Sequence, residues 1–120
     1  MSEWKGDKIV NKVKPIEDKF PITCESFQLI TENMFELFKR KQEDYGPSNI
    51  GMGKSILETD EDVNKAMIGL AVRMNDKIQR LLNLTFSSKE PNNESIEDTL
   101  QDIANYAVMA LIVRNKEWGK

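Results

Sequence analysis

Histidine is absent from this sequence and cysteine occurs once, at Cys24. That argues against a tetrahedral zinc site, which draws on both residue types. A lone thiol forms no internal disulfide, so a reducing compartment is expected. No apolar run reaches the roughly 20 residues of a membrane-spanning helix. The lysine-bearing start "MSEWKGDKIVNKVKP" has no apolar stretch of signal-peptide length. Positive charge is not in excess either: 17 Lys and Arg face 20 Asp and Glu. A protein that grips nucleic acid through phosphates alone usually needs a basic surplus, so no direct nucleic-acid partner is expected. A local basic stripe remains compatible with that balance. Any metal here would be held by oxygen, which points to Mg²⁺ or Mn²⁺.

What is present is enough for one domain with one core: 120 residues, 39% of them apolar. Residues 1–22 carry Pro15, Pro21 and many lysines without a sustained helical period, and read as an arm; within it "KIVNKV" has the composition of a short strand. Residues 23–120 read as a helical domain. Thr23 caps a first helix running to about Tyr45, with Phe27, Ile30, Met34, Phe38 and Lys41 on one face. "YGPSNIGMG" stops it and opens a glycine-rich loop over residues 46–58. A second helix is predicted from Asp60 to about Leu84. Thr59 and Asp62 form its capping pair, and Val63, Met67, Leu70, Met74, Ile78 and Leu81 its apolar stripe. After the polar turn at 87–93, a third helix is predicted from near Asn93 to about Trp118. Ile96, Leu100, Ile103, Ala104, Ala107, Leu111 and Ile112 form its apolar set. Val108, Met109 and Val113 widen that surface to nearly the whole circumference, the mark of a buried helix. Three helices supply a thin core for so many apolar positions. The expected architecture is therefore an all-α bundle of three or four main helices, completed by oligomerisation.

Three polar stripes carry the candidate chemistry. On the third helix, Glu94, Asp98 and Asp102 recur every fourth residue, with Asn105 continuing the face. Unpaired acids on one stripe repel, and a divalent cation would relieve that repulsion. The bland alternative is a solvated acidic face near a helix start, where the dipole favours carboxylates. Asp102 weighs against it, lying more than two turns in between Leu100 and Ile103. On the second helix, Arg73, Asp76, Lys77 and Arg80 form a mixed stripe. Arg offers a forked donor suited to phosphate and Lys a point charge. The alternative is intrahelical pairing, such as Asp76 with Arg80. On the first helix, Glu32 and Glu36 read as exposed surface. Its end places Asp44, Tyr45, Gly46 and Ser48 at a helix–loop junction, where function often sits. Acids with a divalent ion, set against Arg and Lys, are a common arrangement for handling a nucleoside triphosphate.

The segments "RKQEDYGPSN", "VRMNDKIQRLLNL" and "ESIEDTLQDIANYAVMALI" resemble the nucleotide-modification-associated domain 1 family of phages and bacteria. The resemblance spans roughly residues 27–113, with all three segments in order. That family is similar in turn to the MazG-like all-α nucleotide pyrophosphohydrolases. The second, looser resemblance implies a dimeric or tetrameric helical bundle holding Mg²⁺ through acids from two helices. It also implies Mg²⁺-dependent hydrolysis of a (deoxy)nucleoside triphosphate to monophosphate and pyrophosphate. Such enzymes typically carry E-E-x-x-E on one helix and E-x-x-D on the next. This chain departs from both patterns, with Asp98-x-x-x-Asp102 on the third helix and only Glu32-x-x-x-Glu36 or Asp76 as partners.

Carried onto this sequence, the resemblance implies Asp98, Asp102 and Asp76 as catalytic acids, and Glu94, Asp98, Asp102 and Asp76 as ligands of Mg²⁺ or Mn²⁺. Arg73, Lys77 and Arg80 would face phosphates. Asp44, Tyr45, Ser48, Asn105 and Tyr106 would contact base or sugar, with Tyr106 equally placed for the core. The alternative function on the same fold is a non-catalytic phage protein that sequesters a nucleotide signal or assists DNA-base modification. A third is a helical adaptor with an idle acidic stripe. A nucleotide ligand, no membrane, and the cytoplasm of a bacterial or phage-infected cell complete the expectation.

Overall fold

The computed structural model describes residues 14–87 and 90–120. The strand expected over "KIVNKV" lies outside them. Four helices follow one another among the described residues: α1 (Lys14–Lys19), α2 (Pro21–Tyr45), α3 (Asp60–Ser87) and α4 (Ile96–Arg114), with a 3₁₀ turn over Pro47–Asn49 between α2 and α3. No strand occurs among the described residues. The described end of the expected arm is thus helical. Pro21 starts α2 rather than breaking it, because a first-turn proline gives up only an N–H that has no helical partner.

Local chemistry sets the boundaries. The Asp62 N–H donates to Thr59 Oγ1 at 3.1 Å and the Thr59 N–H to Asp62 Oδ2 at 3.4 Å, a reciprocal cap. Asp60, Glu61 and Asp62 add negative charge at the positive end of α3. Ser95 caps α4 by accepting from the Asp98 N–H at 3.0 Å. Gly46 ends α2 at φ +75°, a conformation that costs other residues steric strain.

The antiparallel pair α3–α4 forms the body of the fold, with Lys77 opposite Asp102 and Arg80 opposite Thr99. Val63, Ala66 and Leu70 from α3 join Met109, Ala110 and Val113 from α4 in one core, closed by Ile50 and Leu57 from the loop and by Trp118. Each fully buried Leu or Val contributes about 1.5–3 kcal/mol. The C-terminal segment pins the loop and the start of α3: Trp118 Nε1 donates to the Pro47 carbonyl at 2.9 Å, and Lys116 pairs with Asp60 at 2.9 Å. Trp118 also meets the Phe38 ring edge-on at 6.1 Å, which ties α2 to this end.

α2 is the outlier, with no buried residue along its 25 positions. Only its C-terminal half reaches α4, where Asn105 Nδ2 donates to the Met34 carbonyl at 3.3 Å. Phe27 is 71% exposed, and Ile30 on the same face is also exposed. On α4, Leu100, Val108 and Leu111 are exposed, so the wide apolar surface read from the sequence is only partly covered.

Candidate functional site

Where α2 crosses the α3–α4 pair, a cleft of about 360 Å³ opens. α2 contributes Phe38, Lys41, Gln42 and Tyr45, and the loop contributes Asn49. α3 contributes Arg73 and Lys77, a turn apart, and α4 contributes Asp102, Asn105, Tyr106 and Met109. Glu94, just before the α4 cap, completes the wall.

Lys77 is the hub. Its Nζ donates to Glu94 Oε1 at 2.8 Å and Oε2 at 2.9 Å, and lies 2.9 Å from Asp102 Oδ2. Lys41 reaches Asp102 from α2, its Nζ 2.8 Å from Oδ1. Asp102 is buried, at 8% exposure. Burial alone would push its carboxyl up, but the hydrogen bonds and charges of Lys41 and Lys77 outweigh that and hold it below the ordinary value. Burial pulls the Lys77 ammonium down, and its bonds to Asp102 and Glu94 more than reverse this, so it stays protonated beyond the usual lysine range. The Lys77 hydrogen bond likewise holds the Glu94 carboxyl below its ordinary value, against burial.

A second layer fixes Glu94. The fully buried Thr99 donates its hydroxyl to Glu94 Oε1 at 2.8 Å and accepts from Arg80 Nη1 at 2.7 Å. Arg80 Nη2 donates to the Glu94 carbonyl. Arg80 therefore braces the acid from behind and is not among the residues lining the cleft. Arg73 is held differently. Its Nη2 donates to the Asn49 carbonyl at 3.3 Å, while its Nη1 is buried with no partner among the described residues. An unpartnered buried donor costs about 1–3 kcal/mol, more when charged, until an acceptor reaches it.

Of the residues singled out in the sequence, the structure gathers Arg73, Lys77, Glu94, Asp102, Asn105, Tyr45 and Tyr106 around this cleft. It does not bring Asp76, Asp98, Asp44 or Ser48 there. Asp98 and Asp76 are exposed. The fourfold spacing of Glu94, Asp98 and Asp102 fails as a single stripe for two reasons. Glu94 precedes the helix, and each four-residue step drifts by about 40° at 3.6 residues per turn. Arg80 turns to Thr99 and not to Asp76, so the intrahelical pairing considered for α3 is also replaced. Glu32 and Glu36 are exposed as read, with Glu36 paired to Lys39 at 2.7 Å. Lys41 and Thr99 carry weight that sequence reading missed. The usable signal for Lys41 was a cation closing an otherwise apolar stripe. Thr99 gave no signal of its own.

The residues present do not fit Mg²⁺ as they stand. Mg²⁺ wants near-octahedral oxygen ligands at about 2.0–2.1 Å, usually one or two carboxylates plus water and phosphate. Glu94 and Asp102 do converge on one point, but the Lys77 ammonium fills it, and Lys41 takes the remaining Asp102 oxygen. Among the described residues no three acidic, histidine or cysteine side chains gather into a metal-binding group. The arrangement can bind an anion at Arg73 and present polar and aromatic edges from Tyr45, Asn49, Asn105 and Tyr106.

No helix among the described residues is long and apolar enough to cross a membrane. No curated protein and no solved structure matches the chain. A family model, described as nucleotide modification associated domain 1, matches residues 41–113. That span begins at Lys41 and takes in Tyr45, Arg73, Lys77, Glu94, Asp102, Asn105 and Tyr106, leaving out all of α2 before its last five residues. With more than half its length matched, the chain belongs to the nucleotide modification associated domain 1 family.

Proposed function

We propose that this chain binds a nucleotide in the α2–α3–α4 cleft, its phosphate toward Arg73 and its base or sugar among Tyr45, Asn105 and Tyr106. The observation that carries the reading is the Arg73 guanidinium, with one arm anchored on Asn49 and the other buried without an acceptor among the described residues. The family's association with nucleotide modification is consistent with such a ligand. The test is isothermal titration of the full chain with a panel of nucleotides, beside Arg73→Gln. Saturable binding that weakens about tenfold or more in the variant is expected, roughly the 1.4 kcal/mol of one charged contact. A panel in which no nucleotide binds refutes the reading.

The sequence also raised Mg²⁺-dependent pyrophosphohydrolysis. One feature favours it: Glu94 and Asp102 already share a single cation, the Lys77 ammonium. Hydrolysis would need that ammonium moved aside, so the geometry favours binding without cleavage. Pyrophosphate released from a deoxynucleoside triphosphate with Mg²⁺, and lost in Asp102→Ala, would reverse that preference. A homo-oligomer of two or four copies belongs to the same reading. The exposed Phe27 and Ile30 lie on the α2 face that continues through Phe38 and Lys41 into the cleft, and a second copy would cover them. Light scattering on the full chain checks it, with a monomer as the opposing result.

A further inference from the structure

The charges lining the cleft narrow the ligand further. Lys41, Arg73 and Lys77 face Glu94 and Asp102 there. Both acids are engaged. Glu94 and Asp102 hold the Lys77 ammonium at 2.8 and 2.9 Å, and Asp102 holds Lys41 at 2.8 Å. Each lysine charge is thereby compensated, which leaves Arg73 as the positive charge in the wall with no acid against it among the described residues. The pairing is also fixed in place. Thr99, fully buried, donates to the Glu94 carboxylate at 2.8 Å, and Arg80 donates to both Thr99 and the Glu94 carbonyl. Glu94 is thus braced beside Lys77 from behind.

One forked cation with one arm engaged on Asn49 matches one phosphate group. A phosphomonoester carries about −1.5 to −2 charges near neutral pH. A longer polyphosphate carries more, and with Lys41 and Lys77 compensated by Asp102 and Glu94 the described wall keeps one net positive charge to meet it. Proteins that hold triphosphates usually place Mg²⁺ among such acids. Here the Lys77 ammonium occupies that point. The volume agrees: 360 Å³ is near the small end of the ~300–1,000 Å³ range of ligand pockets.

We infer that the ligand is a nucleoside monophosphate, held by Arg73 without a divalent cation, and that Glu94 and Asp102, by holding Lys77 and Lys41, leave the further charge of longer polyphosphates unmatched. This rests on the nucleotide-binding reading above. The test is titration of the full chain with dAMP, dCMP, dGMP and dTMP, and with the matching triphosphates, each in EDTA and in Mg²⁺. The expected result is a monophosphate that binds in EDTA with an affinity Mg²⁺ changes less than about twofold. The triphosphate should bind about tenfold or more weakly, with or without Mg²⁺. A triphosphate that binds tighter than every monophosphate in Mg²⁺ overturns this inference and leaves the nucleotide reading standing; no binding by any nucleotide overturns both. Glu94→Gln separates the two pictures by sign. With the Glu94 charge neutralised, Lys77 is only partly compensated, and triphosphate affinity in Mg²⁺ should rise about fivefold, the effect of one freed positive charge a few ångströms away. A fall in that affinity, in a variant whose circular dichroism spectrum matches the wild type, means that Glu94 holds a metal and overturns the inference.

Discussion

Asp102→Ala asks whether this carboxylate is a neutralised partner or one of a set of crowded acids. The substitution removes a side chain that is 10% exposed and contacts Lys77 at 2.9 Å and Lys41 at 2.8 Å. Breaking a fully buried ion pair costs about 3–5 kcal/mol, because the remaining charge is stranded. An exposed pair contributes about 1 kcal/mol at most. This site falls between those limits. Lys77 is 22% exposed but keeps Glu94, and Lys41 is 43% exposed, so water screens its charge once Asp102 is gone. The expected loss is about 2 kcal/mol, or roughly 6–10 °C in Tm for a chain of this length. Urea unfolding followed by circular dichroism at neutral pH measures it. Asp98→Ala is the control: Asp98 is exposed in the first turn of α4, so its removal should cost at most the roughly 0.3–1 kcal/mol of a charge at a helix start. If Asp102→Ala is as stable as wild type, or more so, the acids repel one another more than the lysines neutralise them. The account of the cleft then fails.

Three further outcomes follow from the same geometry. Glu94 and Asp102 titrate below their ordinary values in the fold. Their stabilisation is therefore full above an unfolded pKa of about 4 and lost as pH falls through the folded values; Lys77, raised, contributes fully below about pH 10.4 and loses its share as pH rises through its folded value. Thermal melts across pH should show a plateau between these limits, and a peak at acidic pH would contradict it. Thr99→Val keeps the shape of a fully buried side chain but leaves Arg80 and Glu94 without the hydroxyl, at a cost of about 1–3 kcal/mol by urea titration; a neutral result would mean Glu94 is not braced from behind. Trp118→Phe removes the donor to the Pro47 carbonyl from a buried position and should cost about 1–3 kcal/mol in the same assay, whereas an unchanged midpoint would show that the C-terminal segment does not pin the loop.

Much of the fold is written locally. The Thr59–Asp62 cap, the acids opening α3 and the stop at Gly46 all act within one turn of the chain, so sequence spacing reveals them. The α3 stripe is legible for the same reason, since Val63 and Leu70 recur at helical period and both are buried. Its far end is not: Ile78 is 41% exposed, because apolar periodicity marks a face without saying whether anything packs there. Helix α1 escaped notice because six residues give too little periodicity to register, and prolines at 15 and 21 read as breakers.

The chain alone determined a helical domain over residues 23–120 with basic residues on one long helix and acidic residues near the start of the next, since helix period and capping act between neighbours. Only the tertiary structure decided which charges meet. Lys77 and Lys41 reach Asp102 over separations of 25 and 61 residues, and Arg80 bypasses Asp76 for Thr99. Those pairings depend on how α3 lies along α4 and where α2 crosses them. Packing of apolar faces sets that register, and a charge stripe read along one helix holds no information about the helix opposite.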